Sequence, residues 1–166
     1  MTDAEERAAA RALSSPLRLR VLRLCRFDAR TNKELAALLG LNPGTMLHHV
    51  RTLVDTGFLE AQPARVGAQG AREIPYLATG RSWASRMDDA VPVMLETVRQ
   101  QAVLADPERV WFAWLGLRLS DEHRDELLAR VNAVFQDYKD LPPDPGAESY
   151  SLVALFHPDL NPPAGA

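Results

Sequence analysis

Residues 31–57 carry two complete sets of helix start and stop signals in succession, and this confines them to two short helices joined by a tight turn. Thr31 and Glu34 have the T-x-x-E spacing of a capping box at the head of ELAALL. The hydroxyl and the carboxylate of such a pair satisfy each other's main-chain donors. Gly40 suits the left-handed residue that ends a helix. Asn42-Pro43 follows as a new N-cap and first helical position, where proline loses no bond because its missing donor would be unpaired there. This second helix runs to about Thr56, and Gly57 closes it. Two short helices with a glycine-containing turn form a helix-turn-helix.

The flanks extend the motif. Residues 3–13, rich in Ala, Glu and Arg, predict a first helix, and Ser15-Pro16 predicts the capped start of a second. Leu17, Val21, Leu22, Leu24 and Cys25 form its apolar stripe, with Arg18, Arg20, Arg23 and Arg26 on the other faces. After Gly57, Phe58–Ala61 begins an extended segment, and Pro63 suits an edge strand. Val66–Gly70 is a glycine-flanked turn, and Arg72–Ala78 returns as the partner strand. A hairpin placed there is the wing of a winged helix.

Beyond the wing, residues 81–104 predict a helix, bent or split at Pro92, with Trp83, Met87, Val91, Met94, Leu95 and Val98 on one broad face. VWFAWLGLRL, within Arg109–Leu119, predicts a strand from its aromatic and β-branched content. Ser120-Asp121-Glu122 starts a helix with Leu127, Leu128, Val131, Val134, Phe135 and Tyr138 as its core stripe. Leu141–Gly146 holds three prolines and predicts a loop, and Tyr150–Phe156 is a final strand. The expected fold is mainly α with an α+β extension. Residues 1–80 are a winged helix-turn-helix domain, 81–157 a dimerisation helix and small strand-helix-strand region, and 158–166 a disordered tail.

Charge separates the two halves. Residues 1–80 hold eleven Lys/Arg against eight Asp/Glu, a net of +3; residues 81–166 hold eight against fourteen, a net of −6. The overall −3 therefore conceals a basic surplus on the candidate nucleic-acid-binding segment. No apolar run reaches the about 20 residues of a membrane span, and the acidic N-terminus is unlike a secretory signal. A single cysteine allows no intrachain disulfide, which fits the cytoplasm.

On the second helix of the pair, Met46, Val50, Leu53 and Val54 fall at core spacing. Pro43, Gly44, Thr45, Leu47, His48, Arg51 and Thr52 are left on or near the outward side. A helix entering the major groove of double-stranded DNA presents short polar residues of its first turns to base edges, with cations nearer the phosphates. Thr45 and His48 suit the first role and Arg51 the second. His49 suits either a phosphate contact or a half-buried place against the preceding helix. Arg65 and Arg72 in the wing suit phosphate or minor-groove contact.

ALSSPLRLRVLRLC, then TNKELAALLGLNPGTMLHHVRTLVDTGFLE, then a glycine-containing wing ending in PYLATG, resembles the ArsR-type winged-helix regulators over about residues 10–80. The resemblance implies a homodimer that binds an imperfect palindromic operator, usually as a repressor. It places the recognition residues at Gly44, Thr45, His48 and His49. Leu47 departs from the small polar residue many members carry. The dimer helix would use Trp83, Met87, Val91, Met94 and Val98. Metal-sensing members carry cysteine pairs or His/Asp/Glu clusters, but TNKELAALLG has no cysteine and DDAVPVMLETVRQQ no histidine, so no metal and no cofactor are expected. Asp88, Asp89 and Glu96 read as a solvated helix face. His123 and His157 stand isolated.

Cys25, on an apolar stripe, reads as a small buried hydrophobe in preference to a redox sensor. Trp111, Phe112, Trp114, Phe135 and Tyr150 either form the core of the C-terminal region or line a pocket for a small-molecule effector. No phosphate loop, nucleophile elbow or Cys/His cluster points to an enzyme, and the Asp121–Glu126 carboxylates complement a helix dipole. The alternative to a DNA-binding regulator is a winged-helix module that contacts protein and not DNA, a reading which the acidic total favours and the surface from Thr45 to Arg51 opposes.

Overall fold

The computed structural model describes residues 2–67, 70–84 and 91–160. Ala68, Gln69 and Met87, together with the carboxylates of Asp88 and Asp89, lie outside the described residues. The chain divides into two compact units, Met1–Val110 and Trp111–Ala166.

The first unit holds α1 (Asp3–Leu13), α2 (Pro16–Leu24), β1 (Arg30–Thr31), α3 (Asn32–Leu39), α4 (Pro43–Asp55), β2 (Leu59–Ala61), β3 (Arg65–Val66), β4 (Arg72–Glu73), β5 (Pro75–Ala78), α5 (Arg81–Ala84) and α6 (Val91–Ala102). The local signals act as their chemistry requires. The Thr31 hydroxyl accepts from the Glu34 amide at 3.2 Å, and the Glu34 carboxylate accepts from the Thr31 amide at 2.7 Å. Gly40 is left-handed at φ 65°, and the Leu41 amide reaches back to the Ala36 carbonyl. The Asn42 side chain accepts from the Gly44 amide at 2.8 Å. Thr2 and Glu5 close a second capping box on α1. Its T-x-x-E spacing is as visible in the sequence as that of Thr31 and Glu34. Ser15 stands at the N-cap of α2, but its side chain makes no capping bond. Proline at the first position, with φ already fixed, carries that start instead.

One core joins these helices. Leu13 from α1, Val21 from α2, Cys25 just after it, Leu35 from α3, and Met46, Val50 and Leu53 from α4 are all fully enclosed, with Phe58 and Leu59 beneath them. Each such aliphatic or aromatic side chain contributes about 1.5–3 kcal/mol on burial, so α4 is fixed along one whole face.

The wing is two short antiparallel ladders. β2 pairs with β5, Leu59 opposite Ala78 and Ala61 opposite Tyr76, while β3 pairs with β4, Arg65 opposite Glu73. β1 adds to the other edge of β5, giving the order β1-β5-β2. Pro63 falls in the connection between β2 and β3 and not in a strand. The predicted return strand is interrupted at Ile74 into β4 and β5. Pro92 lies in α6, directly after residues 85–90, which are outside the described residues.

In the second unit, Ser120 caps α7 (Asp121–Lys139) by accepting from the His123 amide at 3.3 Å, and Leu141–Gly146 is a loop with a turn at its end. The two flanking segments expected as strands, within 109–119 and at 150–156, run without strand pairing among the described residues. Aromatic and β-branched content favours an extended backbone, but a strand also needs a partner for its amides and carbonyls. The expected core stripe of α7 is likewise not buried: Leu127, Val131 and Phe135 are half-buried, Leu128, Val134 and Tyr138 exposed. Helices with small antiparallel sheets make up the whole, as expected. No helix among the described residues is long and apolar enough to cross a membrane.

Candidate nucleic-acid interface

Burial of Met46, Val50 and Leu53 determines which residues α4 can offer outward. Pro43, Gly44, Thr45, His48 and Arg51 are exposed; Leu47, His49 and Thr52 are half-buried along the margins. The start of the helix is held from two sides. Asn42 caps it, and the Asn32 amide group of α3 donates to the Pro43 carbonyl at 2.9 Å. Gly44 is close to the cap, since a Cβ there would stand 3.1 Å from the Asn42 side-chain oxygen. The first turn, which a groove-reading helix must present accurately, is thus locked to both the turn and α3.

The marginal residues have more specific environments. The Thr52 hydroxyl donates to the His48 carbonyl at 3.0 Å, so its proton is engaged within the helix and only its lone pairs face outward. His48 and His49 meet edge to face, with ring centroids 5.7 Å apart. The His49 ring is half-buried, and its Nδ1 is enclosed without a hydrogen-bond partner. Burial, with Arg18 and His48 nearby, holds its pKa below the usual histidine value; a neutral imidazole is the form that tolerates such a place. The Arg18 guanidinium is itself occupied, donating to the Ala12 and Arg11 carbonyls at the end of α1, each at 2.5 Å.

The two wing arginines differ. Arg72 on β4 is exposed. Arg65 on β3 is ion-paired with Glu34 of α3 at 2.5 Å, a contact across 31 residues that no local pattern in the sequence signals.

α6 packs against α2. Thr97 is its buried residue, its hydroxyl turned back to the Val93 carbonyl at 2.7 Å. Val93 and Gln101, one turn to either side, are half-buried, and so is Val98. Val91, Met94 and Leu95 are left exposed, as is Trp83 on α5. Of the residues expected on a dimer helix, Trp83, Val91 and Met94 thus lie on the surface and Val98 at its margin.

The aromatic residues of the second unit do not form a core within one chain. Trp111, Trp114 and Tyr150 are 81%, 86% and 76% exposed, Phe112 is exposed, and Phe135 is half-buried. Cys25 is fully enclosed, and burial pushes its thiol up to about 11. That is the protonated, unreactive state of a small core residue.

Residues 13–62 match the helix-turn-helix domain family, about the span from the end of α1 through β2. No curated protein matches the chain. Among solved structures, an ArsR-like transcriptional regulator from Rhodococcus sp. RHA1 is 20% identical, with 83% of this chain and 96% of that one covered and a TM-score of 0.41. The homodimeric winged helix-turn-helix DNA-binding domain of a possible ArsR-family regulator from Mycobacterium bovis is 20% identical, with 70% and 97% covered and a TM-score of 0.42. A MarR transcriptional regulator from Methanosarcina mazei Go1 is 15% identical, with 80% and 86% covered and a TM-score of 0.38.

Proposed function

We propose that this chain, with its helix-turn-helix domain over residues 13–62, is a DNA-binding transcriptional regulator of ArsR type. It acts in the cytoplasm as a homodimeric repressor of a palindromic operator. The observation that carries the reading is the division of α4 into two faces. Met46, Val50 and Leu53 anchor it in the core, and Thr45, His48 and Arg51 stand exposed on its first turns and middle.

In this mechanism α4 enters the major groove. Thr45 and His48 meet base edges, while Arg51 and the wing's Arg72 meet phosphates. The N-terminus of α4 adds a dipole favourable to phosphate. His49 acts as a packing residue that orients its neighbour. Dimerisation through Trp83, Val91, Met94 and Leu95 sets two recognition helices about one helical turn of DNA apart, which is why the operator is palindromic. The exposed Trp111, Trp114 and Tyr150 belong to a region that takes a small-molecule effector or packs across the dimer.

Titration of a labelled duplex from the protein's own promoter, in salt from about 50 to 200 mM, tests this. Binding that weakens steeply with salt is expected. Absence of binding at the lowest salt contradicts it and favours a module that binds protein.

A further inference from the structure

The ion pair of Glu34 and Arg65 joins the first helix of the helix-turn-helix to the wing. Glu34 uses both carboxylate oxygens. Oε2 accepts from the Thr31 amide at 2.7 Å and Oε1 from Arg65. The capping box therefore fixes the rotamer of Glu34, and the second oxygen is already aimed at the wing when Arg65 arrives. The alternative carboxylate for Arg65 is Glu73, directly opposite it in the β3–β4 register. Glu73 lies instead over Gly67, where a Cβ would collide with its carboxyl group. Both partners of the actual pair are about half exposed, so a phosphate can compete for the arginine.

We propose that Glu34 is a negative determinant of nucleic-acid binding: it holds Arg65 in an ion pair that must open before this arginine can reach a phosphate. The inference rests on the DNA-binding reading above and adds to it a residue that weakens binding. In the free protein the Arg65 charge is already neutralised. When DNA takes Arg65, Glu34 is left as an unpaired carboxylate beside a polyanion and recruits a cation. That uptake offsets one of the cations released from the DNA, so both the affinity and its salt dependence are lower than the number of basic residues would give.

Glu34→Gln separates this role from folding, because glutamine also closes a capping box. With the promoter duplex, Glu34→Gln is expected to bind about two- to fivefold tighter at about 0.1 M salt, the range for an exposed ion pair, with a log–log salt slope steeper by about 0.9. The gain should vanish when Arg65→Ala is present in both proteins. An unchanged affinity and slope overturns the proposal while DNA binding itself stands. A gain of equal size without Arg65 also overturns it, since the carboxylate would then repel DNA directly. Failure of parent and variant alike to bind DNA rejects the functional reading and the proposal together.

Discussion

The side-chain amide of Asn32, at the first position of α3, donates to the carbonyl of Pro43, at the first position of α4, at 2.9 Å. The turn between them is thereby closed by a bond that belongs to neither helix. Asn32→Ala should cost about 1 kcal/mol. Asn32→Asp should cost more, because a carboxylate cannot donate and would face the carbonyl with like charge. Urea denaturation of the three proteins gives the ordering directly.

Gly57 ends α4 at φ 73°, a conformation that an L-residue adopts at a cost. A Cβ there would also fall 2.8 Å from Nη1 of Arg81, the group that donates to the Thr56 carbonyl at 3.1 Å and lies over the Phe58 ring. Gly57→Ala is therefore expected to lose at least about 1 kcal/mol of stability, measured as a lower urea midpoint with unchanged m. An unchanged midpoint would contradict the left-handed conformation of Gly57 as well as its contact with Arg81.

His49 has a pKa lowered in the fold by burial and by Arg18 and His48. The unfolded chain therefore binds a proton more readily than the native one. Its contribution is complete above the unfolded value of about 6.5 and is lost as pH falls from there toward the lower folded value. Stability should decline through this window in the parent protein and decline less in His49→Gln. The carboxylates of Glu34 and Glu96, whose pKa values are also lowered, act only below about 4.5, so the two effects separate on a pH scan.

Cys25 is fully enclosed, and its thiol is raised to about 11. It should resist iodoacetamide at pH 8 in the native protein and react at an ordinary rate in urea. Rapid labelling of the native state would contradict the packing of α2 against the core.

What the sequence revealed and what it hid follow from the range of the forces involved. Thr31 with Glu34, Gly40, Asn42-Pro43 and Gly57 act on main-chain groups within a few residues, so their spacing alone placed both helices. The box of Thr2 and Glu5 was equally local. β1 was not legible, because the two residues Arg30–Thr31 are too few to show a period and are strand only through β5. The pairing of Arg65 with Glu34 depends on how the wing folds back over α3, and the sequence showed only that Arg65 was basic. The segments around Trp111 and Tyr150 show the converse: their composition favours a strand, and among the described residues no strand pairs with them.

The proposed reading of DNA by this chain depends most on the outward row of α4. The direct measurement is the ratio of affinities for the promoter duplex and a scrambled duplex of equal length, compared between the parent and Thr45→Ala/His48→Ala. Both residues are exposed, so the thermal midpoint should not change, and each lost base contact costs about 1–3 kcal/mol of discrimination. The ratio should fall at least about tenfold, with affinity for the scrambled duplex nearly unchanged. A variant that keeps the parent's ratio would show that this face of α4 does not read DNA.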